Sequence, residues 1–477
     1  MAKVLFATVP LLRTCIGGLC PSLTFVQLGT FLRARGHEVV LYDIAVDGDT
    51  SGLTMEEVTT RIAQRVVREA PSVLGLSCKV PADGRFSREL AREVKRHLPE
   101  VTIVVGGIWA SPAHRAIIER VPEIDAVALG EGELAIAAIA ARLDRGQTLC
   151  AERIDDVPGI AFRDAGGQVH VNAETPRLLP EELPPLDLSL VSSPEAYTVF
   201  PFLTSRGCPY TCTFCAETVI YPRHVDTSIA RLQRDIALLE QFGRDYFLWL
   251  SDPLFGADPR RLEAIAKLLR DSRFHFLLES RVDVLRPDQI PLLWEAGCDL
   301  IYFGLESASF ASLKRVDKVR TPQRHARYLA QTRLLMKACM EHDITPIFGV
   351  INPVPGDAVA DLGETYDFLV ELADIAAKSC AASGTDPGYH FYGFDYRFIR
   401  GTIDFANLEG IATLGTTWKN APDDIFRDVV IDAASPEVSR SLALEFQRRV
   451  RSLVHTTPKG WERLMRSFPP QPLGGLG

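Results

Sequence analysis

The chain has 477 residues, with 52 Lys and Arg against 61 Asp and Glu, a formal charge of −9. Its 47% hydrophobic and 24% charged content fits an ordinary globular protein of two or three domains. That balance gives no electrostatic ground for a nucleic-acid partner, and no apolar run reaches the roughly 18 residues that cross a bilayer.

The segment Met1–Ala7 starts like a signal peptide, but Arg13 interrupts the apolar run, so it reads as a first strand of a cytoplasmic protein. Residues 1–148 alternate strand and helix patterns. Lys3–Val9, Glu38–Ile44, Ser72–Cys78, Thr102–Ile108 and Ala126–Gly130 read as strands. Ser22–Arg35, Thr54–Glu69 and Arg85–His97 read as amphipathic helices. Near-continuous apolar strands between such helices predict a parallel sheet covered on both faces. The fold class is therefore α/β, beginning with a doubly wound, flavodoxin-like domain. A ligand would lie at the carboxyl ends of its strands, beside the loops Pro10–Pro21, Lys79–Gly84, Gly106–Pro112 and Gly130–Gly132.

Residues 149–198 read as a connector. It carries a hairpin over Gly159–Asn172, and Pro176, Pro180, Pro184 and Pro185 stiffen it. Over residues 199–400 the alternation resumes with strands at Phe200–Ser205, Tyr246–Ser251, Phe274–Ser280, Leu300–Leu305, Thr345–Ile351 and Tyr389–Tyr396. Six such units predict a partial (β/α)6 barrel, with its chemistry at the carboxyl ends of the strands. Residues 401–477 read as a small, mostly helical region, with helical patterns at Pro436–Val454 and Lys459–Ser467 before a Pro/Gly tail.

Of ten cysteines, only Cys208, Cys212 and Cys215 cluster tightly, as CxxxCxxC just after the first barrel strand. Three thiolates at this spacing fit on one loop and leave one iron of a [4Fe–4S] cluster without a protein ligand. A catalytic metal centre needs such an open position. The rival reading, a zinc site, wants four ligands, usually in CxxC pairs, and no second pair lies nearby. Cys15 and Cys20 share a loop without further ligands, and Cys298, Cys339 and Cys380 sit in apolar surroundings as small hydrophobes.

The motif resembles the signature of the radical S-adenosylmethionine (SAM) superfamily, including the aromatic Phe214 before the last cysteine. The resemblance implies that SAM chelates the open iron and is cleaved by the reduced cluster to a 5′-deoxyadenosyl radical. It places Ser251 and Asp252, ending the second strand, near the SAM amino group. Arg281, ending the third strand, could pair with the SAM carboxylate, and Glu306 of Glu306-Ser307-Ala308-Ser309 could accept from the ribose. A structural ion pair at the barrel mouth is the plainer reading of Arg281 and Glu306. Gly349–Asp357 resembles the family's fifth-strand turn, with Asn352 and Asp357 as departures.

The first domain resembles the cobalamin-binding domain of that superfamily's methyltransferase-like subgroup. The resemblance rests on Gly36-His37-Glu38-Val39, Asp43, Ser77-Cys78, Gly106-Gly107 and Gly130-Glu131-Gly132-Glu133, in order. Gly106, Gly107 and Gly130 would let backbone approach a flat ligand. The loop Pro10–Pro21 holds no histidine and His37 lies on the wrong edge, so no histidine would ligate cobalt. The alternative is a domain that has lost the corrinoid, with Arg13, Lys79 and bulky Trp109 filling its place. His390, Tyr392, Asp395 and Tyr396 are candidates for the substrate pocket, though core packing would explain them too. The reading implied is C-methylation of a small natural-product intermediate. The alternative is radical dehydration, redox change or rearrangement of a sugar or aminoglycoside. Either implies a low-potential donor such as flavodoxin or ferredoxin, with the need for a partner protein open.

Overall fold

Five parallel strands open the fold of the computed structural model, which describes residues 1–8, 19–48, 52–150, 154–173, 177–221 and 223–467. They are β1 (Lys3–Ala7), β2 (Glu38–Tyr42), β3 (Val73–Ser77), β4 (Thr102–Gly106) and β5 (Ala126–Ala128), in the order β2-β1-β3-β4-β5. Successive side chains of a strand point to opposite faces. Leu5, Leu74, Ile103 and Val105 therefore enter one core, while Val4, Phe6, Val73 and Val104 enter another. Helices cover both faces, and side chains cap the first turns of some of them. Ser22 Oγ accepts from the backbone N–H of Phe25, and Thr54 and Glu57 cap each other reciprocally.

The expected hairpin forms as β6 (Ile160–Arg163) and β7 (Val169–Val171), but not within a connector. It pairs antiparallel onto β5 and completes a seven-stranded sheet. Without it, β5 would be an open edge. The remaining connector runs through short turns at Pro180–Glu182, Leu188–Leu190 and Pro194–Ala196. Buried Arg231 anchors it, donating to the carbonyls of Pro180 (3.2 Å), Leu183 (2.6 Å) and Pro184 (2.9 Å) while pairing with Asp235.

The second sheet starts with β8 (Val199–Phe202), followed by a two-residue antiparallel pair, β9 (Ser205–Arg206) and β10 (Val225–Asp226). Next come β11 (Phe247–Leu250), β12 (Phe276–Arg281), β13 (Cys298–Glu306), β14 (Thr345–Ile351) and β15 (His390–Phe394). The six parallel strands β8-β11-β12-β13-β14-β15 form the expected partial barrel. Val199, Phe247, Leu277, Leu300 and Ile347 line its lumen together with Trp249, Tyr302 and Tyr392. Cys20 joins this inner cluster, and the carbonyl of Leu19 accepts from the N–H of Thr198 and of Val199. The first domain thus reaches the edge of the barrel beside β8.

The region expected to be mostly helical also forms a three-stranded antiparallel sheet, from β16 (Arg397–Phe398), β17 (Thr417–Lys419) and β18 (Val429–Ala433). Strands of two to five residues are too short to show a period in sequence. The helices Arg440–Arg451 and Pro458–Ser467 form as expected. Among the described residues, no helix is long and apolar enough to cross a membrane.

Replacing Arg231 by Ala strands three buried carbonyls and the Asp235 carboxylate. The expected cost is about 3–5 kcal/mol, seen as a lower thermal midpoint. Limited proteolysis should then cut the connector before either domain.

Candidate functional site between the two sheets

The loop after β9 carries Cys208, Cys212 and Cys215, all free thiols and half-buried. Partners distant in sequence strap the loop. Thr213 donates its N–H to the carbonyl of Val316 (3.1 Å) and its hydroxyl to Asp404 (2.8 Å). Asp404 returns its own N–H to the carbonyl of Thr213 (3.1 Å). His224 Nδ1 lies 3.0 Å from the carbonyl of Gly207. Burial pushes the Cys215 thiol up to about 12 and raises Cys208, so both await a cation before they ionise. Among the described residues, no three His, Cys, Asp or Glu groups are placed to hold a single metal ion. A four-iron cluster asks something different, since each thiolate binds its own iron. Three thiols on one strapped loop, with Arg281 Nη1 donating to Cys212 Sγ at 3.2 Å, suit that group.

The expected SAM-binding residues meet here, but most are already engaged. Arg281 pairs with Asp283 through two contacts of 2.9 and 3.0 Å and lies over the Tyr210 ring. Burial works against its charge, but Asp283 holds its pKa above the usual range. Glu306 has a left-handed backbone (φ 61°) at an irregularity in β13. Its carboxylate accepts from buried Lys318 at 2.7 Å. Ser307 Oγ is 2.9 Å from Thr365 Oγ1, at the helix Val359–Ser383. Asp252 is fully buried and accepts from the N–H groups of Thr204 (2.6 Å) and Ser205 (2.8 Å) and from the Thr204 hydroxyl. It therefore fixes the chain entering the cluster loop. Ser251 closes β11 with an N–H bond to Phe202, and Phe214 meets Tyr396 edge-on at 6.4 Å.

The substrate-pocket candidates separate into two pairs. Asp395 is held by Arg440 (2.9 and 3.1 Å) and Gln447, and the Tyr396 hydroxyl donates to Asp404; both tie the C-terminal region to the barrel. His390 and Tyr392 share one face of β15, with rings stacked at 6.1 Å, and that face lines the lumen. Sequence reasoning passed over Glu217 and Lys318 and gave Glu279 no role. Burial pushes Glu217 and Glu279 up to about 7; the charge of Glu279 adds to the shift of Glu217, while Lys79 opposes both. Trp249 Nε1 donates to Glu279 at 2.9 Å.

On the first domain, Gly107 has φ 103°, and a Cβ there would lie 2.5 Å from the carbonyl of Cys78, so the turn admits only glycine. A Cβ on Gly106 would make ordinary contact with Ala128, while Gly130 has open space around it. Trp109 is buried, with its indole N–H on the carbonyl of Ile425 (3.0 Å) and its ring against Phe426. Arg13 and Cys15 lie outside the described residues. Arg206, two residues before Cys208, pairs with Glu131 (2.5 Å) and Glu133 (3.3 Å) of the Gly-Glu-Gly-Glu turn. With Lys79 acting on Glu217 and Glu279, this turns the strand ends of the first sheet toward the barrel mouth. A small-residue edge facing a thiol-bearing mouth suits a flat corrinoid between them.

The B12 binding domain model matches residues 9–140 and the Radical SAM superfamily model residues 202–369. An uncharacterized methyltransferase of Pyrococcus horikoshii is 26% identical over 67% of this chain and 68% of its own length. The cobalamin-dependent radical SAM methyltransferase TokK of Streptomyces tokunonensis is 32% identical over 46% of this chain, but this chain spans only 31% of it. In fold, the chain is similar to the cobalamin-dependent SAM radical enzyme OxsB, solved with aqua-cobalamin. That likeness has a TM-score of 0.73 and 18% identity, over 94% of this chain and 66% of that one.

Two outcomes are expected from this geometry. Replacing Arg206 by Gln leaves Glu131 and Glu133 without their cation, at a cost of about 3–5 kcal/mol. Hydrogen exchange should then rise at both the Gly130–Glu133 turn and the cluster loop, not at one alone. The second concerns pH. Burial pushes Asp252 up to about 6, above its value in the unfolded chain. Between pH ~4 and ~6 the folded state therefore holds a proton that the unfolded state has lost, and stability falls as pH rises. In the cluster-free protein, wild type should lose about 3 kcal/mol relative to Asp252→Asn over that window, read by denaturant unfolding. A parallel pH dependence of the two would refute the assignment.

Proposed function

Because the chain belongs to the radical SAM superfamily and carries a B12-binding domain, we propose that it is a cobalamin-dependent radical SAM methyltransferase. Its substrate is then a small natural-product intermediate, methylated at carbon. The observation that carries this reading is the Arg206 bridge, which holds the ligand edge of the first sheet against the barrel mouth. That edge would hold the corrinoid. The methyltransferase names of two relatives support the same reading.

When bound, the cluster supplies single-electron reduction of SAM and the corrinoid supplies a transferable methyl group. The chain's own residues do the rest. Cys208, Cys212 and Cys215, free thiols on one loop, would hold three irons of the cluster and leave one open. Arg281 donates to Cys212 Sγ and places a positive charge beside the sulfur that would ligate iron. Glu306, steadied by Lys318, presents a carboxylate at the mouth for a ribose hydroxyl. Gly106, Gly107 and Gly130 keep side chains away from the corrinoid face. Buried Trp109 closes the side of its cradle toward Phe426. A low-potential flavodoxin or ferredoxin would provide the electrons.

Anaerobic reconstitution with iron, sulfide and hydroxocobalamin, followed by desalting and metal analysis, tests this. The expected result is about four irons per cluster and cobalt near one per chain, with 5′-deoxyadenosine formed from SAM and reductant. Cys212→Ala should lose the iron and the SAM cleavage. Iron without cobalt would exclude methyl transfer through a corrinoid.

A further inference from the structure

The lumen of the barrel is polar on its upper levels, and several of its polar groups lack partners among the described residues. Glu279 on β12 stands in register with Tyr302 on β13, and Gly349 on β14 stands in register with Tyr392 on β15. Gly349 is required there, since a Cβ would lie 2.0 Å from the Tyr302 hydroxyl oxygen, so the phenol crosses β14 into the lumen. Neither Tyr302 nor Tyr392 makes a side-chain hydrogen bond to another described residue. His390, in register with Tyr302 through Ile347, is 4% exposed, and its Nε2 has no hydrogen-bond partner among the described residues. It shares a face of β15 with the lumen residue Tyr392, so a buried, unpartnered nitrogen stands beside the same polar groups.

Charge separates this volume from the rest of the mouth. Asp283, Glu306, Asp357 and Asp395 are each paired with an Arg or Lys. Glu279 has one indole N–H, and neither Glu279 nor Glu217 forms a salt bridge within the described residues. Lys79, the cation that acts on both, is exposed on the opposing domain. Glu279 also lies two residues below Arg281, about 6–7 Å deeper along the strand, away from the cluster loop.

We infer that the lumen is the substrate pocket and takes a polyhydroxylated small molecule bearing a protonated amine, with Glu279 receiving the ammonium and Tyr302, Tyr392 and His390 its hydroxyls. This rests on the radical SAM reading of the barrel, and it adds a substrate class and two residues, Glu279 and Tyr302. The same ammonium chemistry is present in SAM itself, and the test distinguishes the two sources.

The holoenzyme, reconstituted with cluster and cobalamin, is dialysed against amino sugars and aminocyclitols, each paired with the counterpart whose amine is replaced by hydroxyl. Without and with saturating SAM, the amine members should bind about tenfold more tightly than their partners. Glu279→Gln should erase that preference. Tyr302→Phe should weaken both members of each pair and keep the preference. Equal binding of the paired compounds overturns the proposal. So does a preference that vanishes when SAM is added, because the carboxylate would then serve the SAM ammonium. Should Glu279→Gln fail to fold, the wild-type comparison with and without SAM decides alone. Cobalt in the same sample is measured separately. A cobalt-free protein that still prefers amines keeps this pocket while losing the corrinoid reading.

Discussion

One buried guanidinium sets the geometry of the gap. Arg206 is 8% exposed and reaches two carboxylates of the other domain. A buried ion pair contributes little net stability, because desolvating the charges offsets their attraction, but losing one partner is expensive. Its value here is registry. Arg206 lies two residues before Cys208, while Glu131 and Glu133 flank Gly132 at the end of the first sheet. Fixing this one contact sets the cluster loop relative to the edge where a corrinoid would lie.

The C-terminal region then works as a strap across both domains. Arg120 donates to the carbonyl of Asp423 (2.8 Å), Trp109 to that of Ile425, and Arg85 to that of Phe426 on the first domain. Asp404 supports the cluster loop, Arg440 grips the end of β15, and Arg463 closes the base of the barrel on Asp343. This explains the bulky residue after Gly106-Gly107. Trp109 fits because a Cβ on Gly84 would lie 2.2 Å from its ring, and because Phe426 covers its other side. Neither condition is local in sequence.

The same distinction separates what was legible in the sequence from what was not. Parallel strands were legible because burial on both faces demands unbroken apolar runs such as Thr102–Val105. The cluster cysteines were legible because three thiols on one short loop have few other uses. The hairpin's strands were legible but its partner was not, because edge pairing with β5 depends on what covers that edge. Asp252, Asp395 and Tyr396 resembled ligand contacts because polar residues stood at strand ends. Strand ends are also where backbone N–H groups and neighbouring elements need acceptors, and Asp252 and Asp395 meet that need. Lys318 carries no motif in the sequence, and only the fold places its ammonium on Glu306.

Charge accounting at the mouth decides what kind of ligand each part can accept. An anionic group that seeks Arg281 must compete with Asp283, and one that seeks Lys318 must displace Glu306 or share its cation. Glu306 has a left-handed backbone, a conformation costing about 1–3 kcal/mol, and its carboxylate is held by Lys318. A cationic group at Glu279 meets only the exposed Lys79 as a competing charge, because the one close partner of Glu279 is a neutral indole. An ammonium entering there offsets the charge of Glu279 instead of breaking an existing pair. The cationic ligand is therefore the one the lumen accepts at the lower cost.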